Sequence, residues 1–371
     1  MRTNYSTPLA TRHAHICVLP FCRRLLTWFQ EGNSSGAKIS MTSVVMIAGD
    51  GIGPEVMAAT QKILHAAGAR LDWIEAHAGL DAVEKFGEPL PDQTLELIRK
   101  HRVAVKGPCT TPIGKGFRSI NVRLRQELEL FASIRPVQTL PGVKVPYDNV
   151  DLIVVRENTE GLYAGLEHVV VPGVVESLRL VTREAAERIL RCAFELARRQ
   201  GRHKVTVVHK ASVLPLSDGM FLRIADQIAD DYPFLEYEQQ TIDHVALDLA
   251  LDPTPYDVLV MENLFGDVMS DVCAGLVGGL GVVPGANIGQ RCALFEAVHG
   301  SAPDIAGKGL ANPIALVRSA AMMLDHIGQR NGALRIEQAV RRTLQEGAGL
   351  TRDLGGDGNT RTITERLIAN L

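Results

Sequence analysis

An α/β architecture on a largely parallel sheet is what this sequence predicts from residue 41 onward, on three observations. Short apolar runs of strand length alternate with longer stretches of helical period. Turn and cap residues stand at the joints between them. The composition, 46% hydrophobic and 22% charged over 371 residues, is that of a folded globular chain, long enough for about two domains.

Taken in order, residues 44–48 read as a first strand, and Asp50-Gly51-Ile52-Gly53-Pro54-Glu55 as a turn into a helix over 55–67, with Pro54 at its first position. Residues 103–105 form a short apolar strand before Gly107-Pro108. Residues 151–155 (DLIVV) read as a buried strand. Residues 182–200 make a helix capped by Thr182, with Glu184 and Glu187 early, Arg198 and Arg199 late, and Gly201 as its stop. Residues 205–209 and 258–261 are further strands, and 312–327 is a helix around Pro313.

The first forty residues differ from the rest. They carry Arg2, Arg12, Arg23, Arg24 and Lys38 against a single acid, Glu31, and end near Asn33-Ser34-Ser35-Gly36. Two readings stay open for residues 1–40: an organellar transit segment leading to the mitochondrial matrix, or an extension upstream of a start at Met41 in a cytoplasmic protein. Either way they are expected to be flexible and outside the fold. Over the whole chain 39 Lys+Arg nearly balance 42 Asp+Glu, a formal charge of −3. That argues against a dedicated partner in nucleic acid or at a membrane surface, since both need a basic field. No run approaches the ~18 apolar residues of a membrane span. Six scattered cysteines, with no C-x-x-C pair, read as free thiols.

Several segments carry chemistry. Gly51-x-Gly53 follows a strand, but position 56 is Val and no acid ends a strand about twenty residues on, so the Rossmann fingerprint is incomplete and a tight βα turn is the better reading. Asp267 and Asp271 lie four apart, on one face of a helix, flanked by Leu264, Phe265, Val268 and Val272. Apolar surroundings would sharpen their repulsion, and a hard divalent cation would relieve it. Lys115, Arg118, Arg123, Arg125, Arg135 and Arg156 form a basic series interleaved with Ser119 and Asn121. Converging guanidinium forks would suit a polyanionic acid, although spacing alone does not separate this from a solvated helix face. Tyr163, in a Gly-flanked loop, and Lys210, just after a strand, are candidates for proton transfer.

Seven ordered motifs bring these residues together: residues 49–56 (GDGIGPEV), 111–128 (TPIGKGFRSINVRLRQEL), 134–137 (IRPV), 156–165 (RENTEGLYAG), 209–219 (HKASVLPLSDG), 263–281 (NLFGDVMSDVCAGLVGGLG) and 299–313 (HGSAPDIAGKGLANP). Running from residue 44 to the C-terminus, they make the chain resemble the isocitrate/isopropylmalate dehydrogenase family, metal-dependent decarboxylating dehydrogenases of a two-domain α/β fold that is not of Rossmann type. The resemblance implies that residues 41–130 and 279–371 form a larger cofactor-side domain and 131–278 a smaller dimerisation and substrate domain. It implies that Arg125, Arg135 and Arg156 clamp substrate carboxylates. Asp267 and Asp271 would hold Mg²⁺ or Mn²⁺ with Asp243 of a neighbouring subunit. Tyr163 and Lys210, the latter also donated across the interface, would transfer protons. The active sites are thus expected to be shared in a homodimer or a higher oligomer.

Within the resemblance, Ser119 and Asn121 match the isocitrate pattern, where polar side chains meet the third carboxylate of a tricarboxylate. Isopropylmalate enzymes place apolar residues there. Homoisocitrate, one methylene longer, is the nearer alternative, and a non-catalytic regulatory subunit is another. Asp304 and Ile305 imply NAD over NADP, because a carboxylate suits free ribose hydroxyls and repels a phosphate; His299, Gly300, Ala302 and Asn312 would line the adenosine pocket. Ser212 departs from the isocitrate enzymes of the family, which usually have Asn two residues after the catalytic lysine.

Overall fold

The computed structural model describes residues 41–110 and 119–371. Lys115 and Arg118 of the basic series, the transit or extension readings of residues 1–40, and Cys17 and Cys22 therefore lie outside the described residues.

The elements run β1 (Thr42–Ile47), α1 (Gly53–Ala66), β2 (Leu71–Ala76), α2 (Leu80–Phe86), α3 (Asp92–His101), β3 (Val103–Lys106) and α4 (Ile120–Glu127). Next come β4 (Ala132–Gln138), β5 (Asp151–Glu157), β6 (Gly161–Val171), β7 (Val174–Leu180), α5 (Arg183–Gln200), β8 (Lys204–His209) and α6 (Ser217–Ala229). The chain closes with β9 (Glu236–Thr241), α7 (Ile242–Leu251), β10 (Val258–Met261), α8 (Asn263–Leu276), β11 (Pro284–Ile288), β12 (Ala293–Ala297), α9 (Ile314–His326), α10 (Arg330–Glu346) and α11 (Thr360–Ala369).

Ten strands make one sheet in the order β2-β1-β3-β12-β11-β4-β5-β10-β8-β9. Its two flanks are parallel: β2-β1-β3-β12 on one side and β5-β10-β8-β9 on the other. The middle pairings, β12-β11, β11-β4 and β4-β5, are antiparallel. The expected mixed α/β fold with a largely parallel sheet is observed. The inner strands are mostly apolar rather than alternating: Val44, Val45, Val154, Val155, Val258 and Leu259 are fully buried, while the edge strands β2 (LDWIEA) and β9 (EYEQQT) carry polar, part-exposed residues.

Local chemistry sets the helix ends. Thr182 accepts from the Ala185 N–H at the start of α5, and Gly201, at φ 65°, receives its end. Pro54 stands in the first turn of α1, which begins at Gly53, two residues earlier than the sequence pattern suggested. Ile120 and Leu124 anchor α4 in a core with Ile47, Leu95, Ile98, Leu130 and Leu294, which presents Arg125 toward the middle of the sheet. Strands β6 and β7 stand apart as a hairpin turning at Pro172-Gly173, with Gly173 at φ 85°. Its valines are solvent-facing, Val169 to 68%. The thiols of Cys109, Cys192, Cys273 and Cys292 are free. Among the described residues no helix is long and apolar enough to cross a membrane.

Candidate active site

Where the parallel flanks meet the antiparallel middle, the strand order changes direction, and the carboxyl ends of parallel strands leave a crevice at such a point. A cleft opens there, lined among others by Lys106, Asn121, Arg125, Arg135, Asn287, Glu296 and His299. Lys106 ends β3 and lies in register beside Glu296 of β12. Its ammonium donates to Glu296 at 2.7 Å. The amide of Asn287 donates to the same carboxylate at 2.7 Å.

Arg125, Arg135 and Arg156 converge, and all three are buried. Burial, then the nearby Arg125 charge, draws Arg135 down and brings Arg156 to about 10. Repulsion between guanidiniums is the mark of a site prepared for anions. Helix α8 supplies the counter-charge. Asp267 accepts from Arg156 and from the Tyr163 hydroxyl; Arg135 lies 3.2 Å from Asp271 and 3.9 Å from Asp267 and donates to Ser270. Burial pushes the Asp267 carboxyl up, but Arg156, the Tyr163 hydrogen bond, Arg135 and Arg125 together hold it below the usual carboxylate range. Burial and the Asp267 partner push the Tyr163 phenol up, so Tyr163 keeps its proton at neutral pH and can donate it.

Two sequence expectations change here. Tyr163 is in strand β6, not in a loop: Gly161 and Gly165 both take positive φ yet stay inside the hairpin. The apolar flanks of the aspartate pair do not enclose it, since Val268 and Val272 are themselves exposed. At Asp267 burial acts against the charge, and the neighbouring arginines with Tyr163 outweigh it.

Lys210 and Asp243 form a second group. They are ion-paired with each other, and the Lys210 hydrogen bond holds Asp243 at about 2. Among the described residues no three His, Cys, Asp or Glu side chains are grouped so that they could hold a metal ion, so one chain alone does not bring Asp243 to Asp267 and Asp271 as a ligand set.

Of the remaining predicted positions, Asn121, His299 and Gly300 line the cleft. Ser119 is exposed at the N-cap of α4. Asn121 Oδ1 and Arg125 Nε are buried with no partner. His299 Nδ1 donates to the Gly300 carbonyl at 2.9 Å and leaves Nε2 buried and unpaired; His299 and Gly300 line the cleft. Ala302, at φ 39°, opens a turn in which the Ile305 N–H reaches its carbonyl and Asp304 is exposed. Asn312 is committed to the fold: its amide bonds Asp353, the Gly281 carbonyl and the Ile314 N–H.

The glycine-rich turn after β1 braces this region. The Ile52 N–H donates to Ser301, and a Cβ on Gly51 would stand 2.0 Å from that carbonyl oxygen. Glu55 accepts from the Gly309 and Ala311 N–H groups, each at 3.2 Å. These contacts fit the tight βα turn expected from the sequence.

Lys106, Glu296, Asn287 and Gly266 were not singled out from the sequence. Lone charges in the otherwise apolar strands VAVK and ALFEA were the available signal for the first two. A Cβ on Gly266 would meet the Arg156 side chain at 2.4–3.1 Å, so this glycine lets the Arg156 stem pass against α8.

Comparison with known proteins agrees with these motifs over nearly the whole chain. The family described as "Isocitrate/isopropylmalate dehydrogenase" matches residues 43–367. The mitochondrial "Isocitrate dehydrogenase [NAD] subunit 2" of Schizosaccharomyces pombe is 48% identical over 332 residues, 89% of this chain and 87% of that protein. A chloroplastic 3-isopropylmalate dehydrogenase of Solanum tuberosum is 46% identical over 321 residues, 86% of this chain and 90% of its own. The crystal structure of isocitrate dehydrogenase from Methylococcus capsulatus superposes with a TM-score of 0.86 at 49% identity, covering 89% of this chain and 99% of that one. Sequence, sheet order and relatives lead to one conclusion: the chain belongs to the isocitrate/isopropylmalate dehydrogenase family.

Proposed function

We propose that this chain catalyses the NAD-dependent oxidative decarboxylation of isocitrate to 2-oxoglutarate and CO₂. The observation that carries the reading is a cluster of three buried guanidiniums, with Arg125 and Arg135 lining the cleft and Arg156 paired with Asp267 beside Tyr163 and Asp271. A tricarboxylate offers each fork an anionic partner. Asn121 Oδ1 and Arg125 Nε, buried and unpaired, are polar atoms that an apolar isopropyl group would leave unsatisfied, and a site of that kind discriminates strongly against such an analogue.

Asp267 and Asp271 fit a hard dication. They are oxygen donors on one face of α8, and both are partly solvent-accessible. Asp243 of a neighbouring copy would complete the set. When bound, Mg²⁺ or Mn²⁺ supplies Lewis-acid polarisation of the substrate oxygen, and NAD is the hydride acceptor. The chain's own groups do the rest: Arg125, Arg135 and Arg156 bind and orient the carboxylates, Lys210 takes the hydroxyl proton, and Tyr163 returns a proton to the carbon that loses CO₂. His299 Nε2, buried and unpaired while Nδ1 is held by the Gly300 carbonyl, would be an acceptor for the cofactor, and Asp304 selects NAD.

The separation of Lys210–Asp243 from the Asp267 cluster supports a homodimer with shared sites, and so do the exposed apolar residues of the hairpin, α7 and α8. The sheet's two flanks support the division into 41–130 with 279–371 and 131–278. The name of the Schizosaccharomyces pombe relative supports the mitochondrial alternative, in which residues 1–40 are an organellar address.

The test is NADH formation by the purified chain on isocitrate, homoisocitrate and 3-isopropylmalate, with and without Mg²⁺. Isocitrate is expected to be fastest, and only with the metal. A higher kcat/KM on either competitor replaces the substrate assignment. No NADH from any of them, together with stimulation of a catalytic relative, replaces the enzyme by a regulatory subunit.

A further inference from the structure

Every residue of β7 is exposed except Arg179. Its guanidinium turns away from solvent into a cluster built from two other parts of the chain. Nη1 donates to Asp218 Oδ1 at 2.7 Å and to Ser217 Oγ at 3.0 Å, both in the first turn of α6. Nε stands 3.5 Å from Glu262 Oε2, and the guanidinium carbon lies 5.7 Å from the centre of the Phe265 ring. The two carboxylates are nearly buried, with side chains 4% and 10% exposed.

Each carboxylate has a second task. Asp218 Oδ2 accepts from the backbone N–H of Lys210 at 2.6 Å and so fixes where the lysine leaves β8. Glu262 caps α8, accepting from the Leu264 and Phe265 N–H groups at 3.4 and 3.3 Å, and α8 carries Asp267 and Asp271. Glu262 also packs on Gly161, where a Cβ would stand 2.9 Å from Oε2, two residues before Tyr163. Gly161 is in register with Leu180, next to Arg179. The elements bearing Lys210, Asp267 and Tyr163 therefore meet at one guanidinium.

We infer that Arg179 is a positioning residue that holds Lys210, the aspartate-bearing face of α8 and the Tyr163 strand in fixed relation; the inference rests on the dehydrogenase reading of those three groups. A planar fork reaches two carboxylates from different edges, whereas an ammonium is a point charge. Without the cation, Asp218 and Glu262 are two buried like charges that push apart, and each takes with it the backbone it holds.

The experiment compares R179M, R179K, E262Q and the double variant R179M/E262Q in the full-length protein, by steady-state kinetics and by hydrogen exchange. For R179M, kcat is expected to fall about tenfold or more, because small misplacements of reacting groups are costly, with KM for isocitrate within about twofold. R179K should recover part of kcat, and the double variant should be no slower than R179M, since neutralising Glu262 removes the repulsion. Exchange should quicken in R179M at the Lys210 amide and in the first turn of α8, and stay unchanged in α9. An unchanged kcat in R179M, or strictly additive losses in the double variant, overturns the inference. If R179M does not fold, R179K and E262Q decide it: wild-type kcat and exchange in both overturn it. Hydrogen exchange needs no turnover, so it separates the two readings. Wild-type protection at Lys210 and α8 in R179M refutes the positioning role whatever the substrate. Local deprotection in a chain that forms no NADH refutes the dehydrogenase reading alone.

Discussion

Asp267 is the residue through which most of the cluster communicates: it accepts from Arg156 and Tyr163 and lies within ion-pair reach of Arg135. Asp267→Asn keeps the shape but leaves Arg156, fully buried, short of its counter-charge. On the proposed reading turnover should drop about 100-fold or more, and raising Mg²⁺ should not restore it; an Mg²⁺ titration of NADH formation checks this, and wild-type rates would remove the metal assignment. Asp304 is exposed in its turn, so it can be changed without repacking. The double change Asp304→Lys with Ile305→Tyr should raise the NADP-to-NAD ratio of kcat/KM about tenfold or more, as new polar contacts to a phosphate can. Measuring kcat/KM for both cofactors decides it. At this scale the sequence was readable where residues signal in pairs. Asp267 and Asp271 announce themselves by an i, i+4 spacing, which the helix then realises. Lys106 and Glu296 do not, because their partnership exists only once β3 and β12 lie side by side, 190 residues apart in the chain; no local pattern encodes that register.

At the level of elements, caps and stops were the most legible features, because they depend on a few neighbouring residues. Thr182 and Gly201 bound α5 where their backbone chemistry says they should. The β6 strand was less so. Two glycines around Tyr163 look like a turn; β7 pairs with Gly161 and again from Leu166 onward, and Tyr163 lies in the irregularity between. Helix α8 shows the opposite case, in which tertiary contact explains a residue that local propensity disfavours: Gly266 lies in the first turn of the helix, where glycine is a poorer helix former than alanine by up to about 1 kcal/mol, because the Arg156 stem fills the space of a Cβ. Gly266→Ala is therefore expected to destabilise the protein by about 1–3 kcal/mol despite the better helix former, and to raise KM for isocitrate by displacing Arg156. Urea denaturation and initial-rate kinetics on the same sample test both halves.

For the whole molecule, the apolar surface is the main unresolved demand of the single chain. Leu216 is 86% exposed, and Val213, Leu247, Leu251, Val268, Val272 and the hairpin valines are exposed as well, more than scattered surface hydrophobes require. A shared-site dimer would cover them. Leu216→Glu combined with Val169→Asp should yield a folded monomer with at least about tenfold less activity, and sedimentation velocity with parallel assays would show whether the two losses coincide. The sheet itself was foreseeable from alternating apolar runs and helices. Its antiparallel middle was not, since strand direction is decided by long connections rather than by strand composition.

The ion pair between Lys210 and Asp243 has a genetic corollary. If each copy lends these two side chains to its neighbour, a chain crippled at Asp267 and another crippled at Lys210 fail in different halves of the machinery. Co-expressed, they should regain activity that neither displays by itself, because one of the two reaction centres in a mixed pair inherits only sound parts.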